Sequence, residues 1–278
     1  MIGFLLLIHF NTYAQNDTLP VNQPSSKPEL HRTPSTVPDL VYFKSWLTDS
    51  RDIVIAPVRW NKYQWIAFSG VTVITAFLFT QDASIQRITQ NNQTHFLDVA
   101  AKSGLERLGS GVYSLPAMAL LYGVGAIRKD DKEKYTALKG IEAYALGFVA
   151  AQVLKQLTHR DRPYMDNPPD PFQWYGPFHA PSYSSFPSGH STVAFAIATV
   201  VATSYSKTIW IPIVCYTFAG LTALSRVYQN DHWFSDIFVG SALGFAIGKT
   251  IMNNQMKKLK IIPVSPNGMG VTVFYQLN

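Results

Sequence analysis

The sequence is short of charge. Only 14% of its 278 residues are Asp, Glu, Lys or Arg, while 47% are hydrophobic; soluble domains carry about 25% charged residues. Such a chain is either unusually well buried or partly in contact with lipid. Cysteine is nearly absent. Cys215, alone and inside an apolar run, rules out an intramolecular disulfide and any cysteine metal cluster, and reads as a small buried apolar residue. The seven histidines show no HExxH-type spacing, so no metal site is expected. Long unbroken apolar runs are missing too. A membrane span needs about 20 mainly apolar residues, and each apolar run here is shorter or interrupted by residues such as Glu142, Asp236 or Lys249. The mean hydropathy of +0.05 is low for a chain that mostly spans a membrane. No long basic run with interleaved aromatics occurs, so nucleic acid is not an expected partner.

The charge that is present is basic, +6 net with a pI of about 9.3, which suits anionic substrates or anionic lipid surfaces. Residues 2–10 form a short apolar stretch ahead of Thr12-Tyr13-Ala14, the form of an export signal over residues 1–14, although no Lys or Arg precedes it. That signal points to a bacterial-type envelope. Residues 15–59 read as a Pro/Ser/Thr/Asn-rich linker followed by a segment that packs on the body through Phe43, Trp46 and Trp60,. An all-α domain is expected over 60–256, a bundle of about six core helices near 65–79, 112–127, 135–157, 187–204, 209–224 and 232–252. Asn61 is a plausible cap for the first, and Asp82 falls just beyond its end. Residues 257–278, with an Asn267-Gly268 pair ahead of Val271-Thr272-Val273-Phe274, read as a short β-hairpin-like tail.

Three short patterns carry chemistry. Lys155 is followed after six residues by Arg162-Pro163; Pro187-Ser188-Gly189-His190 forms a turn; Ser225-Arg226 is followed by His232 and then Asp236. Pro187 suits the first turn of a helix, whose N-terminal N–H groups at Ser188, Gly189 and His190 make an anion site. Gly189 allows close approach of an oxyanion. Lys155, Arg162 and Arg226 are expected to converge on one dianion and offset its charge without a metal. His232 and Asp236 lie four apart, so a helix would place them on one face. The carboxylate then fixes the imidazole tautomer and leaves the other nitrogen as nucleophile, with His190 available to protonate a leaving oxygen. Antiparallel alternation brings the relevant helix ends to one side of the bundle. His159, Arg160 and Asp161 read as helix-capping residues, with Asp161 able to orient Arg162.

These blocks closely resemble the signature of the type 2 phosphatidic acid phosphatase and vanadium haloperoxidase superfamily, over roughly residues 60–252. The resemblance implies an α-helical bundle and a metal-free phosphohistidine mechanism. By position, His232 corresponds to the nucleophile, Asp236 to its orienter and His190 to the acid, while Lys155, Arg162, Ser188, Gly189 and Arg226 correspond to phosphate binders. No cofactor is implied, and vanadate is expected to inhibit. The expected substrate is a phosphate monoester or pyrophosphate of an envelope lipid, with membrane association. The alternatives are a broad-specificity soluble acid phosphatase, a vanadate-dependent haloperoxidase in which vanadate is the cofactor, and a non-catalytic scaffold, against which the intact residue set argues. The aromatic loop 164–186 is either a lid on the site or a proline-stiffened wall. If all six helices span, the basic segments 128–139 and 249–260 violate the positive-inside rule unless the N-terminus lies inside and the site outside; the other option is a periplasmic protein that does not span as six helices, and both place the site on the periplasmic side.

Overall fold

The computed structural model describes residues 35–177, 184–256, 260–263 and 271–274. The signal-like segment, the Asn267-Gly268 turn and loop residues 178–183 lie outside the described residues. The helices are α1 (Leu40–Ile55), α2 (Lys62–Asn91), α3 (His95–Val99), α4 (Glu106–Gly109), α5 (Ser114–Arg128), α6 (Asp131–Thr158), α7 (Gly189–Ser204), α8 (Trp210–Tyr228) and α9 (Phe234–Met256). Strand β1 (Lys260–Pro263) pairs antiparallel with β2 (Val271–Phe274), consistent with the expected tail. The six long helices α2 and α5–α9 match the expected bundle.

Local chemistry sets the boundaries. Asn61 caps α2 in a reciprocal box with Gln64,, and Asp130 accepts two backbone N–H groups at the start of α6. His159, at φ 44°, closes α6 in the left-handed conformation,. Ser188 is the N-cap of α7, so Pro187 lies one residue outside the helix rather than in its first turn. The first helix runs well past 79, to Asn91. Asp82 is therefore inside α2, fully buried. The expected end there was wrong because a buried carboxylate interrupts the apolar pattern without interrupting the helix.

The short, alanine-rich α7 is the hub and packs against α6, α8 and α9. Ala143, Ala196, Val200, Ile247 and Ile251 form the main apolar cluster between these helices. A glycine seam fixes α9 against α7. A Cβ at Gly240 would come within 2.5 Å of the Ser188 carbonyl oxygen, at Gly244 within 2.1 Å of the Thr192 carbonyl oxygen, and at Gly248 within 2.7 Å of the Ala196 carbonyl oxygen. Small residues at every fourth position let two helix backbones meet closely. One turn earlier, the Ser188 N–H donates to the Asp236 carbonyl at 3.1 Å. The seam thus sets the register of the elements that carry His190 and His232.

The α1 helix lies in the segment expected to pack on the body. Tyr42 donates to the Leu138 carbonyl at 2.8 Å, and Asp49 is 3.0 Å from Lys139 Nζ. Lys139 also pairs with Glu142 at 2.7 Å. This buried cluster is about 24 Å along α6 from Lys155.

Helices α2, α6, α8 and α9 are each long and apolar enough to cross a membrane, a stronger signal than the interrupted runs of the sequence suggested. The outer face of α2 exposes Ile66, Val73, Ile74 and Phe77. A contiguous apolar face of this kind marks a surface that contacts lipid or another partner rather than water.

Candidate active site

The C-terminal ends of α6 and α8 and the starts of α7 and α9 meet on one side of the bundle. His232 lies two residues before α9 rather than opening it. Its place is fixed by its N–H bond to the Arg226 carbonyl at 3.3 Å and by burial to 3% exposure. Asp236 Oδ2 stands 3.6 Å from His232 Nδ1 and accepts the Trp233 N–H at 2.9 Å. Ser185 donates its hydroxyl to the same carboxylate and lies 3.3 Å from His232 Nδ1. The carboxylate therefore addresses Nδ1, which directs the ring proton there and leaves the Nε2 lone pair outward.

His232 is held neutral. Burial is the largest cause pushing its pKa well below the ordinary histidine value, and the charges of Lys155 and Arg162 add to it, while Asp236 acts in the opposite direction,.

His190, the second residue of α7, lies within electrostatic reach of Arg226, Lys155 and Arg162. Its Nε2 is buried with no hydrogen-bond partner among the described residues. The first-turn N–H groups of Gly189 and His190 have no partner among the described residues, the usual state of a helix N-terminus awaiting an anion. A Cβ at Gly189 would meet only Ala151, at 3.9 Å, so protein packing does not require glycine there; its bareness leaves room for a ligand. Ser188 differs. Its N–H is used by Asp236 and its hydroxyl caps the helix at Ser191, so both groups are occupied.

The cations are gathered but engaged. Lys155 Nζ donates to the carbonyls of Ser184 and of Ser185, the latter at 3.0 Å. Asp231 joins the two arginines: it is 3.5 Å from Arg162 and in closer contact with Arg226. Glu106 lies 3.5 Å from Arg226 on its other side. Asp231 thus sits where an anion bridging the two guanidinium groups would sit.

Arg160 is not a helix cap. It is 1% exposed and uses all five N–H donors: Nε and Nη2 to the Pro171 carbonyl at 3.0 and 2.8 Å, Nη1 to Ser235 at 2.8 Å and Asp236 at 2.6 Å, and Nη2 to Asp82 at 2.8 Å. Phe79, Trp174 and Trp233 surround its guanidinium at 4.8, 5.0 and 5.4 Å,. Asp82 also accepts the Ser235 N–H at 2.9 Å. The chain from Asp82 through Arg160 to Asp236 to His232 ties α2 to the imidazole. Asp161 turns the other way, with its carboxylate accepting from Tyr175 and its carbonyl from the Trp233 indole, at 2.8 and 2.9 Å. The described part of the aromatic loop behaves as a wall: Trp174 packs on Phe79 and Phe186 with ring centroids 5.7 and 5.3 Å apart. Tyr164 and Phe172 stay exposed.

An α-helical bundle with helices apolar enough to span a membrane, and with two histidines and three cations gathered at one end, is the class that this fold and candidate site define. The sequence model of the PAP2 superfamily matches residues 136–260, the stretch that carries the three patterns. It is 42% identical over 67 residues to a lipid A 1-phosphatase of Porphyromonas gingivalis, a match covering 24% of this chain and 15% of that protein. It is 29% identical over 153 residues to a decaprenylphosphoryl-5-phosphoribose phosphatase of Mycobacterium tuberculosis, covering 55% of this chain and 78% of that one. The crystal structure of a transmembrane PAP2-type phosphatidylglycerolphosphate phosphatase from Bacillus subtilis superposes with a TM-score of 0.51 at 21% identity, over 78% of this chain and 96% of that one. This last likeness bears on the fold.

Proposed function

We propose that the protein is a membrane-embedded phosphatase that hydrolyses the phosphate monoester or pyrophosphate of an envelope lipid, through a phosphohistidine on His232 and without a metal. The observation that carries this reading is the buried, neutral His232 backed by Asp236, facing an anion site built from Arg162, Arg226, Lys155 and the N-terminus of α7. The similar proteins are named as phosphatases of lipid A and of a decaprenyl-linked phosphate, which supports the lipid class.

The substrate dianion displaces Asp231 from between Arg162 and Arg226 and takes the Gly189 and His190 N–H groups. His232 Nε2 attacks phosphorus; the P–N bond forms as the P–O bond to the leaving group breaks. Burial and the neighbouring cations hold His190 unprotonated in the free site; the bound phosphate offsets those charges, so His190 takes up a proton from solvent and gives it to the departing oxygen. It then removes a proton from the water that attacks the phosphohistidine, releasing inorganic phosphate and restoring His232. Asp236 balances the positive charge that His232 gains. Lys155, holding the carbonyls of the 184–185 segment, keeps Ser185 against Asp236 and adds positive potential. Vanadate, as an anion of the same geometry, is expected to inhibit.

The basic connection around Arg128 to Lys134 and the end of α9 lie at the bundle face opposite the site. With those segments cytoplasmic, the site opens to the periplasmic side of a bacterial envelope. The test is to assay purified enzyme on lipid phosphates and on soluble phosphoesters in EDTA. Activity that survives EDTA, prefers the lipids and is abolished in His232→Ala is expected. Abolition by EDTA would overturn the metal-free chemistry.

A further inference from the structure

An apolar groove of about 270 Å³ lies among helices of the bundle. Its floor is α7, with Ala194 and Ile197; its walls are α5, with Ala117 and Met118, and α8, with Cys215 and Ala219. Helix α5 packs on α6 while α8 packs on α7 and α9, which leaves the cleft between α5 and α8. The upper end is formed by Leu108 and Thr222. That end touches the catalytic turn: a Cβ at Gly109 would be 2.8 Å from His190 Cβ and 2.9 Å from Thr222 Cγ2. The lower end reaches Val201 and Val214. From Thr222 to Val214 the groove extends about 12 Å along α8. Its outer lip carries Val214 and Phe218, both exposed on the lipid-ready surface.

We infer that this groove holds one hydrocarbon chain of the lipid whose phosphate is cleaved at His190 and His232. The inference rests on the lipid-phosphatase reading and deepens it. Four observations select this occupant. The end of the groove at Leu108 and Thr222 lies beside Gly109, which packs on the turn that carries His190. It runs parallel to the helices, the direction a chain takes when its phosphate sits at their ends. It opens sideways through the α5–α8 cleft at exposed apolar residues, so a chain enters from the bilayer without crossing water. Its wall at the catalytic end holds two buried hydroxyls, Ser114 and Thr222, with no partner among the described residues, where the polar linkage between chain and phosphate would lie.

The groove makes chain length a specificity determinant. Each buried methylene favours binding by about fourfold, so kcat/KM on monoalkyl phosphates is expected to climb with chain length and to level off once the chain outruns the groove. The test uses full-length enzyme in detergent, a series of monoalkyl phosphates and the soluble para-nitrophenyl phosphate. Cys215→Trp plugs the groove from α8. It is expected to lower the ratio of long-alkyl to aryl-phosphate kcat/KM at least tenfold, the worth of two buried methylenes. An unchanged ratio, or a wild-type enzyme indifferent to chain length, overturns the inference. A second measurement does not depend on the variant folding or on turnover. An alkyl phosphate with a diazirine on its chain is photo-crosslinked to the wild-type enzyme in the presence and absence of excess unlabelled lipid phosphate. Competable crosslinks in residues 194–201 and 214–222 support the groove; crosslinks confined to the outer face of α2 overturn it. Wild-type enzyme that cleaves no phosphate ester, yet crosslinks in the groove, would refute the phosphatase reading and leave the groove standing.

Discussion

Arg160→Lys separates a positioning role from a binding one. The substitution keeps the positive charge between Asp82 and Asp236 but replaces five donors, all engaged, with at most three. At least two hydrogen bonds are lost, and bonds to charged groups are worth about 1.5–3 kcal/mol each, so a loss of about 3–6 kcal/mol of stability is expected. Total stabilities are about 5–15 kcal/mol; the variant should still fold but melt well below wild type in the same detergent. Arg160 has no exposed side-chain surface, so it cannot contact substrate. Its effect on turnover passes through Asp236 and the His232 ring. Loss of such a supporting partner typically costs 10–100-fold, and this loss should appear in kcat with KM nearly unchanged. Asp82→Asn should shift kcat in the same direction by less, because Asp236 keeps its own bond to Arg160. Steady-state kinetics beside thermal melts decide the matter. Full kcat in a destabilised Arg160→Lys protein would show that the network is only structural. A raised KM at full kcat would place Arg160 against the phosphate and refute the geometry.

Other outcomes follow from the same arrangement. Asp231→Asn removes the carboxylate that occupies the two arginines; with a partly exposed ion pair worth up to about 1 kcal/mol, inorganic phosphate and vanadate should inhibit up to about fivefold more tightly, and weaker inhibition would mean that Asp231 orients the arginines instead. The lowered pKa of His232 keeps its nucleophilic neutral form populated below pH 6.5, so turnover should persist in acid. The stability consequence has the opposite sense: the unfolded histidine takes up a proton below about pH 6.5 while the folded one does not, so stability falls as pH drops through that value, by up to about 1.4 kcal/mol per unit. Thermal melts of wild type and His232→Gln across pH 4–8 should show the wild type losing more stability in acid; parallel curves would contradict the neutral, buried state. Gly244→Val should impair folding or turnover more than a change on the lipid-facing side, because its first side-chain atom already meets the Thr192 carbonyl oxygen; comparison with Gly220→Val, whose Cβ would meet no atom within 4 Å, provides the measure.

Much of the site was legible because its residues sit at helix ends and form local patterns. Spacing alone paired His232 with Asp236, and the capping turn at Ser188 pointed to the α7 N-terminus. What escaped were long-range partners. Asp82 and Arg160 are far apart in sequence and meet only in the fold, so neither stands in a motif. The available signal was physical: a lone carboxylate within the apolar pattern of α2 needs a buried partner, but nothing local marks Arg160 as that partner, because the spacing of Arg160 and Arg162 would put both on one face of an extended segment. Ser185 lies in a loop where nothing local marks it. The glycines at 240, 244 and 248 do form a periodic pattern, but their meaning depends on which helix lies opposite. Asp231 stands in no local pattern, and its place between Arg162 and Arg226 is set only by the fold.

The most direct test of the central claim is to look for phosphate on His232. A His190→Ala enzyme, slowed in releasing the intermediate, is mixed with a ³²P-labelled phosphomonoester, quenched in alkali and digested. An acid-labile, alkali-stable label is expected in the peptide containing His232, absent from the same enzyme carrying His232→Asn. Label on any other residue would contradict it, as would steady turnover in His232→Asn.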